Sequence, residues 1–244
     1  MDNLDKERFL EIVTQHKLYG NPRNLNQYLD VLFGDLTFDN KRFLDIGGGT
    51  GVFTHYAAFR GAKEAVCMEP EFDGSTAGVS ELFNKVTGVL GFEDISRLDT
   101  RLLQDFEGDP FDLILSHNSI NHLNEEDCEN ILVSKEARQN YIEIFKQLYQ
   151  LTRPGGTLIV CDCGRKNLFG DLGITNPVMK TIEWEKHQEP RVWADLLEEA
   201  GFTLDSISWN TFNSLGKIGP LLLGYRIPSY LTLSHFRIVL HREN

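Results

Sequence analysis

The chain is short of the features that mark a nucleic-acid binder, a membrane protein or a disulfide scaffold. Lys and Arg number 24 against 36 Asp and Glu, a formal charge of -12 over 244 residues. Phosphate backbones are held by clustered cations, and no basic run exists here, so no nucleic-acid partner is expected. No apolar stretch approaches the ~20 residues that a spanning helix needs, so no membrane partner is expected either. Met1-Asp2-Asn3-Leu4-Asp5-Lys6-Glu7 is charged and mixed, without the apolar core of a signal peptide. Cysteine is sparse, and Cys67, Cys128, Cys161 and Cys163 show no disulfide framework. Cys161 and Cys163 are two apart in an apolar run and face the same way. Two reduced core thiols are expected there, with metal binding as the alternative. These absences together predict a cytoplasmic location in a reducing compartment. Internal repeats and low-complexity linkers are also missing. At this length, one α/β domain with a full core is expected.

What the chain does contain is an alternation of strand and helix patterns. Residues 1–40 read as helices, with Phe9, Leu10, Ile12 and Val13 before a break at Tyr19-Gly20-Asn21-Pro22. Leu25, Tyr28, Leu29 and Leu32 then recur at helical spacing. This part precedes the first strand and covers either one face or the mouth of a site. Strands are expected at 42–46, 65–68, 95–99, 111–116, 157–162, 203–209 and 231–241, and helices at 52–60, 75–87, 136–151 and 191–200. Arg153-Pro154-Gly155-Gly156 reads as a turn, and 164–190 as loop-like. Such alternation predicts a mostly parallel sheet with helices on both faces. The last two strands lie too close for another helical crossover, which predicts an antiparallel final strand. The segment 210–230, with Gly216, Gly219, Pro220 and Leu221-Leu222-Leu223, covers a pocket or forms a dimer contact.

The strongest motif is Phe43-Leu44-Asp45-Ile46-Gly47-Gly48-Gly49-Thr50-Gly51, an apolar strand running into a glycine turn. Gly47, Gly49 and Gly51 spell G-x-G-x-G. A dinucleotide fingerprint needs its third glycine one place later, where Val52 stands. The tighter turn closes backbone on a cofactor without phosphates there. Glu69 ends the second strand, about 20 residues beyond the turn, where an acid can bind a ribose diol. Its plainer alternative is a solvated Glu before Pro70. Asp45 can likewise be a simple helix cap. Further on come Phe111-Asp112-Leu113-Ile114-Leu115-Ser116-His117-Asn118, then Leu151-Thr152-Arg153-Pro154-Gly155-Gly156-Thr157-Leu158, then Leu196, Leu197, Ala200, Gly201 and Phe202.

In order and spacing these stretches resemble motif I, motif IV, the turn before strand 5 and the "L-L-x-x-A-G-F" helix of the class I S-adenosylmethionine-dependent methyltransferases of small molecules. The resemblance implies a Rossmann-like seven-stranded, mostly parallel sheet with an antiparallel last strand and an N-terminal helical cap. It places the cap at 1–40 and the methyltransferase domain at 41–244, with an acceptor-pocket insertion at about 164–190. S-adenosylmethionine is the implied cofactor and S-adenosylhomocysteine the product. The implied cofactor contacts are Asp45, Gly47, Gly48, Gly49, Gly51, Glu69, Pro70, Leu102, Leu103, Ser116 and His117. Arg101 beside Leu102 and Leu103 is a further adenine candidate, because the third strand lacks the usual Gly-Asp pair.

The expected reaction is methyl transfer to a small-molecule acceptor, at a hydroxyl oxygen of a sugar or other polar metabolite. His122, after the fourth strand, is the first candidate base; His187 is the second, three residues from Trp184 in the insertion. Each histidine has a purely structural alternative. Asn118, Arg165 and Trp184 are the candidate acceptor contacts. The acids after His122 suit an exposed helix N-terminus better than a metal site. Asp/Asn-Pro-Pro-aromatic does not follow the fourth strand, and no paired-glutamate loop is present, so base, Gln and protein-arginine substrates lose support. Methylation at nitrogen, an inactive cofactor-binding partner and a nicotinamide oxidoreductase are the competing readings; a polyamine transferase lacks its acidic pair. A homodimer is an expected arrangement.

Overall fold

The computed structural model describes residues 4–70, 78–210 and 224–244. Its strands are β1 Arg42–Ile46, β2 Glu64–Met68, β3 Ser96–Asp99, β4 Phe111–His117, β5 Thr152–Cys163, β6 Thr203–Trp209 and β7 His235–His241. Its helices are α1 Lys6–Gln15, α2 Pro22–Phe33, α3 Val52–Phe59, α4 Val79–Leu90, α5 Glu125–Asn130, α6 Lys135–Leu151, α7 Leu168–Asp171, α8 Pro190–Glu199 and α9 Arg226–Tyr230. The sheet has seven strands in the order β3-β2-β1-β4-β5-β7-β6, a Rossmann-like order with an antiparallel last strand. Two compact units divide the chain, Met1–Ser116 and His117–Asn244.

In the first unit, β1 pairs in parallel with both β2 and β4, and β2 with β3. The register sets Ile46 against Met68 and Ser116, and Met68 against Asp99. Four strands therefore end at one edge. Asp5 and Asn21 cap α1 and α2 by accepting backbone N–H groups three residues on. These helices rest on α3 and β1. The Phe9 ring stacks on Phe59 at 5.0 Å, and Phe33 lies 5.6 Å from Tyr56 and 6.2 Å from Phe43. Each such buried side chain contributes roughly 1.5–3 kcal/mol. Helix α4 begins at Val79, after Gly78 in the left-handed region, so it sits later than the 75–87 pattern predicts. Residues 75–77 of that expectation lie outside the described residues.

In the second unit, β7 runs antiparallel between β5 and β6. Trp193 of α8 is fully buried against Tyr141 and Phe145 of α6, with centroids 5.1 and 5.9 Å away. Strand β5 starts at Thr152, five residues before its expected start, and the predicted turn is extended. The cause lies far downstream. Gly155 N–H donates to the Arg242 carbonyl and Arg242 N–H to that of Gly156, at 2.8 and 3.0 Å. The Arg242 guanidinium also donates to the Tyr149 and Thr152 carbonyls. The final strand starts at His235 and not at 231, because Arg226–Tyr230 forms α9 and Ser234 has a φ of 49°. Most of the 210–230 segment singled out above lies outside the described residues. All four cysteines are free and buried. Among the described residues, no helix is long and apolar enough to cross a membrane.

Candidate functional site

The glycine turn leaves β1 between two carboxylates. Gly47 and Gly48 donate their N–H groups to the Met68 carbonyl at 2.8 and 3.2 Å, which ties the turn to the end of β2. Gly47, Gly49 and Gly51 have φ values of 65°, 53° and 82°, a region open to glycine at little cost. Gly48 is required for a different reason. A Cβ there would lie 2.6 Å from Cys67 Sγ and 2.8 Å from Asp45 Oδ2. Gly49 N–H donates to Glu69 Oε2 at 2.9 Å. A donor that a pyrophosphate would use is thus already taken by an acid, and the local field disfavours anions.

Asp45 is fully buried. The Thr54 hydroxyl donates to its Oδ2 at 3.0 Å, while Oδ1 has no hydrogen-bond partner among the described residues. Burial pushes its carboxyl from an ordinary 3.8 up to about 7; the Thr54 bond works against this and repulsion by Glu69 adds to it. A buried carboxylate with an unused oxygen calls for a cationic or donor group. Pro70 is half-buried after Glu69, and Ser116 is buried opposite Ile46. After β3, Leu102 is half-buried and Leu103 buried at the start of a 3-10 turn. Arg101 instead pairs with Asp99, whose carboxyl its hydrogen bonds pull down to about 2.

The second unit gathers a different set of groups at the end of β5. His187 Nδ1 lies 3.1 Å from Asp162 Oδ1 and 3.2 Å from Oδ2. The Asp162 side chain is 1% exposed and that of His187 14%. Asn118 donates its backbone N–H to the Cys161 carbonyl at 2.7 Å, and its side chain meets His235. The His117 ring centroid is 5.8 Å from that of His235. Desolvation pushes His117 down to about 4. Trp184 packs on α7, where a Cβ at Gly170 would meet its ring at 2.6 Å. Arg165 reaches toward the Glu129 carbonyl at 3.5 Å. His122 lies in the open: its side chain is 56% exposed and its Nδ1 pairs with Glu125 at 2.6 Å. A cavity of about 430 Å³ in the same unit has Trp209 and Tyr230 in its wall with Lys166 and Glu189. Among the described residues, no group of three or more His, Cys, Asp and Glu is placed to hold a metal ion.

Asp162, His235 and Asn210 were not singled out by sequence. An acid between two cysteines at the end of an apolar strand is a weak signal for the first. Nothing local marks the other two.

Residues 15–207 match the methyltransferase domain family. A ubiquinone biosynthesis O-methyltransferase of Marinobacter nauticus is 26% identical over 207 residues, covering 81% of this chain and 77% of that protein. Two solved structures share the fold at 14% identity. One is the geranyl diphosphate C-methyltransferase of Streptomyces coelicolor, with Mg2+, geranyl diphosphate and S-adenosylhomocysteine, at a TM-score of 0.60 over 99% of this chain and 84% of that one. The other is an S-adenosylmethionine-dependent methyltransferase of Mesorhizobium loti, at 0.59 over 88% and 98%.

The chain belongs to the methyltransferase domain family. It is a class I methyltransferase whose cofactor is S-adenosylmethionine. The acid-flanked turn fits that group, which carries cationic ammonium and sulfonium centres and no phosphate.

Proposed function

We propose that the enzyme methylates a hydroxyl oxygen of a small-molecule acceptor, with His187 as the base. The carrying observation is the buried Asp162 carboxylate against His187 Nδ1. A carboxylate at Nδ1 keeps the proton on that nitrogen and leaves the Nε2 lone pair to take a hydroxyl proton. Bound S-adenosylmethionine supplies an electrophilic methyl group on a sulfonium, open to in-line displacement. The chain's own part is alignment and proton removal.

In this reading Asp45 holds the ammonium end of the cofactor. Gly47, Gly48, Gly49 and Gly51 line its path, and Glu69 with Pro70 takes the ribose. Leu102 and Leu103 flank the adenine, with Ser116 and His117 completing the contacts. Asn118, Arg165 and Trp184 belong to the acceptor side. The O-methyltransferase relative supports oxygen as the acceptor atom. The cavity beside Trp209 and Tyr230 has the size of a small ring or sugar site. The 1–40 helices serve as a cap on the domain. A cytoplasmic homodimer acting on a small molecule completes the reading.

The test is a panel of hydroxylated rings and sugars incubated with S-adenosylmethionine. S-adenosylhomocysteine release finds the acceptor, and NMR of the product locates the new methyl group. A methyl ether supports the proposal. A methylated amine moves the assignment to nitrogen, and cofactor binding without turnover on the whole panel points to a non-catalytic partner.

A further inference from the structure

Strand β7 opens on a histidine that the transfer chemistry leaves unused. His235 lies between two asparagines. The Asn210 amide nitrogen is 2.8 Å from its Nδ1, and its Nε2 is 3.0 Å from Asn118 Oδ1. Asn210 is itself pinned, being 6% exposed with its backbone N–H on the His235 carbonyl at 2.8 Å. An amide nitrogen only donates, so His235 Nδ1 accepts and the ring's single proton sits on Nε2. Desolvation holds the ring neutral, with help from His117 and His187 and against the pull of Asp162; its pKa is pushed down to about 3. Nε2–H then donates to Asn118 Oδ1. The relay runs one way, from Asn210 through His235 to Asn118.

Asn118 is fixed at its backbone as well. It has a φ of 53°, and its N–H is held by Cys161, the neighbour of Asp162 in β5. The residue is exposed. With Oδ1 occupied, its amide presents Nδ2, a pure donor. The adjoining residue of β5 holds His187 with Nε2 as a pure acceptor. A base and an amide donor thus hang from consecutive residues of one strand.

We propose that Asn118 is a specificity-determining residue that reads the acceptor, and that His235 and Asn210 are positioning residues that set the way its amide faces. The site selects a hydroxyl compound carrying a second oxygen that offers lone pairs, such as an ether or carbonyl, over one with an apolar group there. This rests on the hydroxyl-methylation reading above.

Two probes that differ by one atom test it: 2-methoxyphenol and 2-ethylphenol, titrated calorimetrically into protein saturated with S-adenosylhomocysteine. The wild type should bind the methoxy compound about tenfold tighter, the worth of one hydrogen bond. The preference should fall below about threefold in Asn118→Gly, which tolerates the left-handed backbone, and in His235→Phe, which keeps a ring. Binding of 2-ethylphenol and S-adenosylhomocysteine should be retained in His235→Phe. Nitrogen-15 NMR, assigned by the His235→Phe difference, should show His235 as the Nε2–H tautomer. Equal binding of the two phenols by wild type, a preference unchanged in both variants, or an Nδ1–H tautomer overturns this proposal alone. Failure of both phenols to bind beside a bound S-adenosylhomocysteine overturns the ring-hydroxyl acceptor as well.

Discussion

Glu69 Oε2 accepts the backbone N–H of Gly49 at 2.9 Å, so one carboxylate both fastens the glycine turn and stands at the end of β2. Glu69→Ala removes the acid proposed for the ribose and frees the turn. Calorimetry should show S-adenosylhomocysteine binding weakened at least about tenfold, with NAD failing to bind either form. Glu69→Gln, which keeps one acceptor oxygen, should fall between. Unchanged affinity in Glu69→Ala would remove this residue from the cofactor site.

With Asp45 as the proposed ammonium partner, cofactor affinity should depend on pH. Its folded-state pKa is raised, so its contribution to stability is full below about 4 and is lost as pH rises through about 7. The stability of Asp45→Asn relative to wild type, from denaturant melts, should therefore improve steadily across that window. The charged form is the one that attracts an ammonium group. S-adenosylhomocysteine should bind wild type more tightly at pH 8 than at pH 6, and Asp45→Asn should bind weakly at both. A flat wild-type profile would reject Asp45 as the ammonium partner.

The turn tolerates no added carbon at two glycines. Gly48→Ala drives a methyl group into Cys67 and Asp45, and Gly51→Ala meets the Phe83 ring at 2.4 Å from a backbone at φ 82°. Each should cost about 1–3 kcal/mol of stability in denaturant melts. Each should also weaken cofactor binding, since the turn must shift to accommodate the methyl. Gly49→Ala meets no atom within 4 Å, so its cost is confined to its φ of 53°.

Much of the first unit was legible because its signals are local. Asp45, the glycines and Glu69 sit at strand ends, and strand ends are marked by turn chemistry within a few residues. Val52 at the third glycine position separated this turn from the dinucleotide kind for the same reason. The second unit resisted because its contacts join distant positions. Asp162 and His187 are 25 residues apart, and Asn118 and His235 are 117 apart. Its position just after the fourth strand put His122 ahead of His187 as the candidate base. The fold gives the former a surface partner in Glu125 and the latter a buried carboxylate. The start of β5 was hidden likewise, since Arg242 turns a Pro-Gly-Gly stretch into a strand from about 90 residues away.

The most direct measurement is the rate of S-adenosylhomocysteine formation with an accepted hydroxyl substrate in wild type, His187→Ala and Asp162→Asn. With His187 as the base, kcat should be lower by about 10²–10⁴ in His187→Ala, with a smaller loss in Asp162→Asn and cofactor affinity unchanged in both. Wild-type turnover in His187→Ala would contradict that role and return the search for the base to the rest of the site.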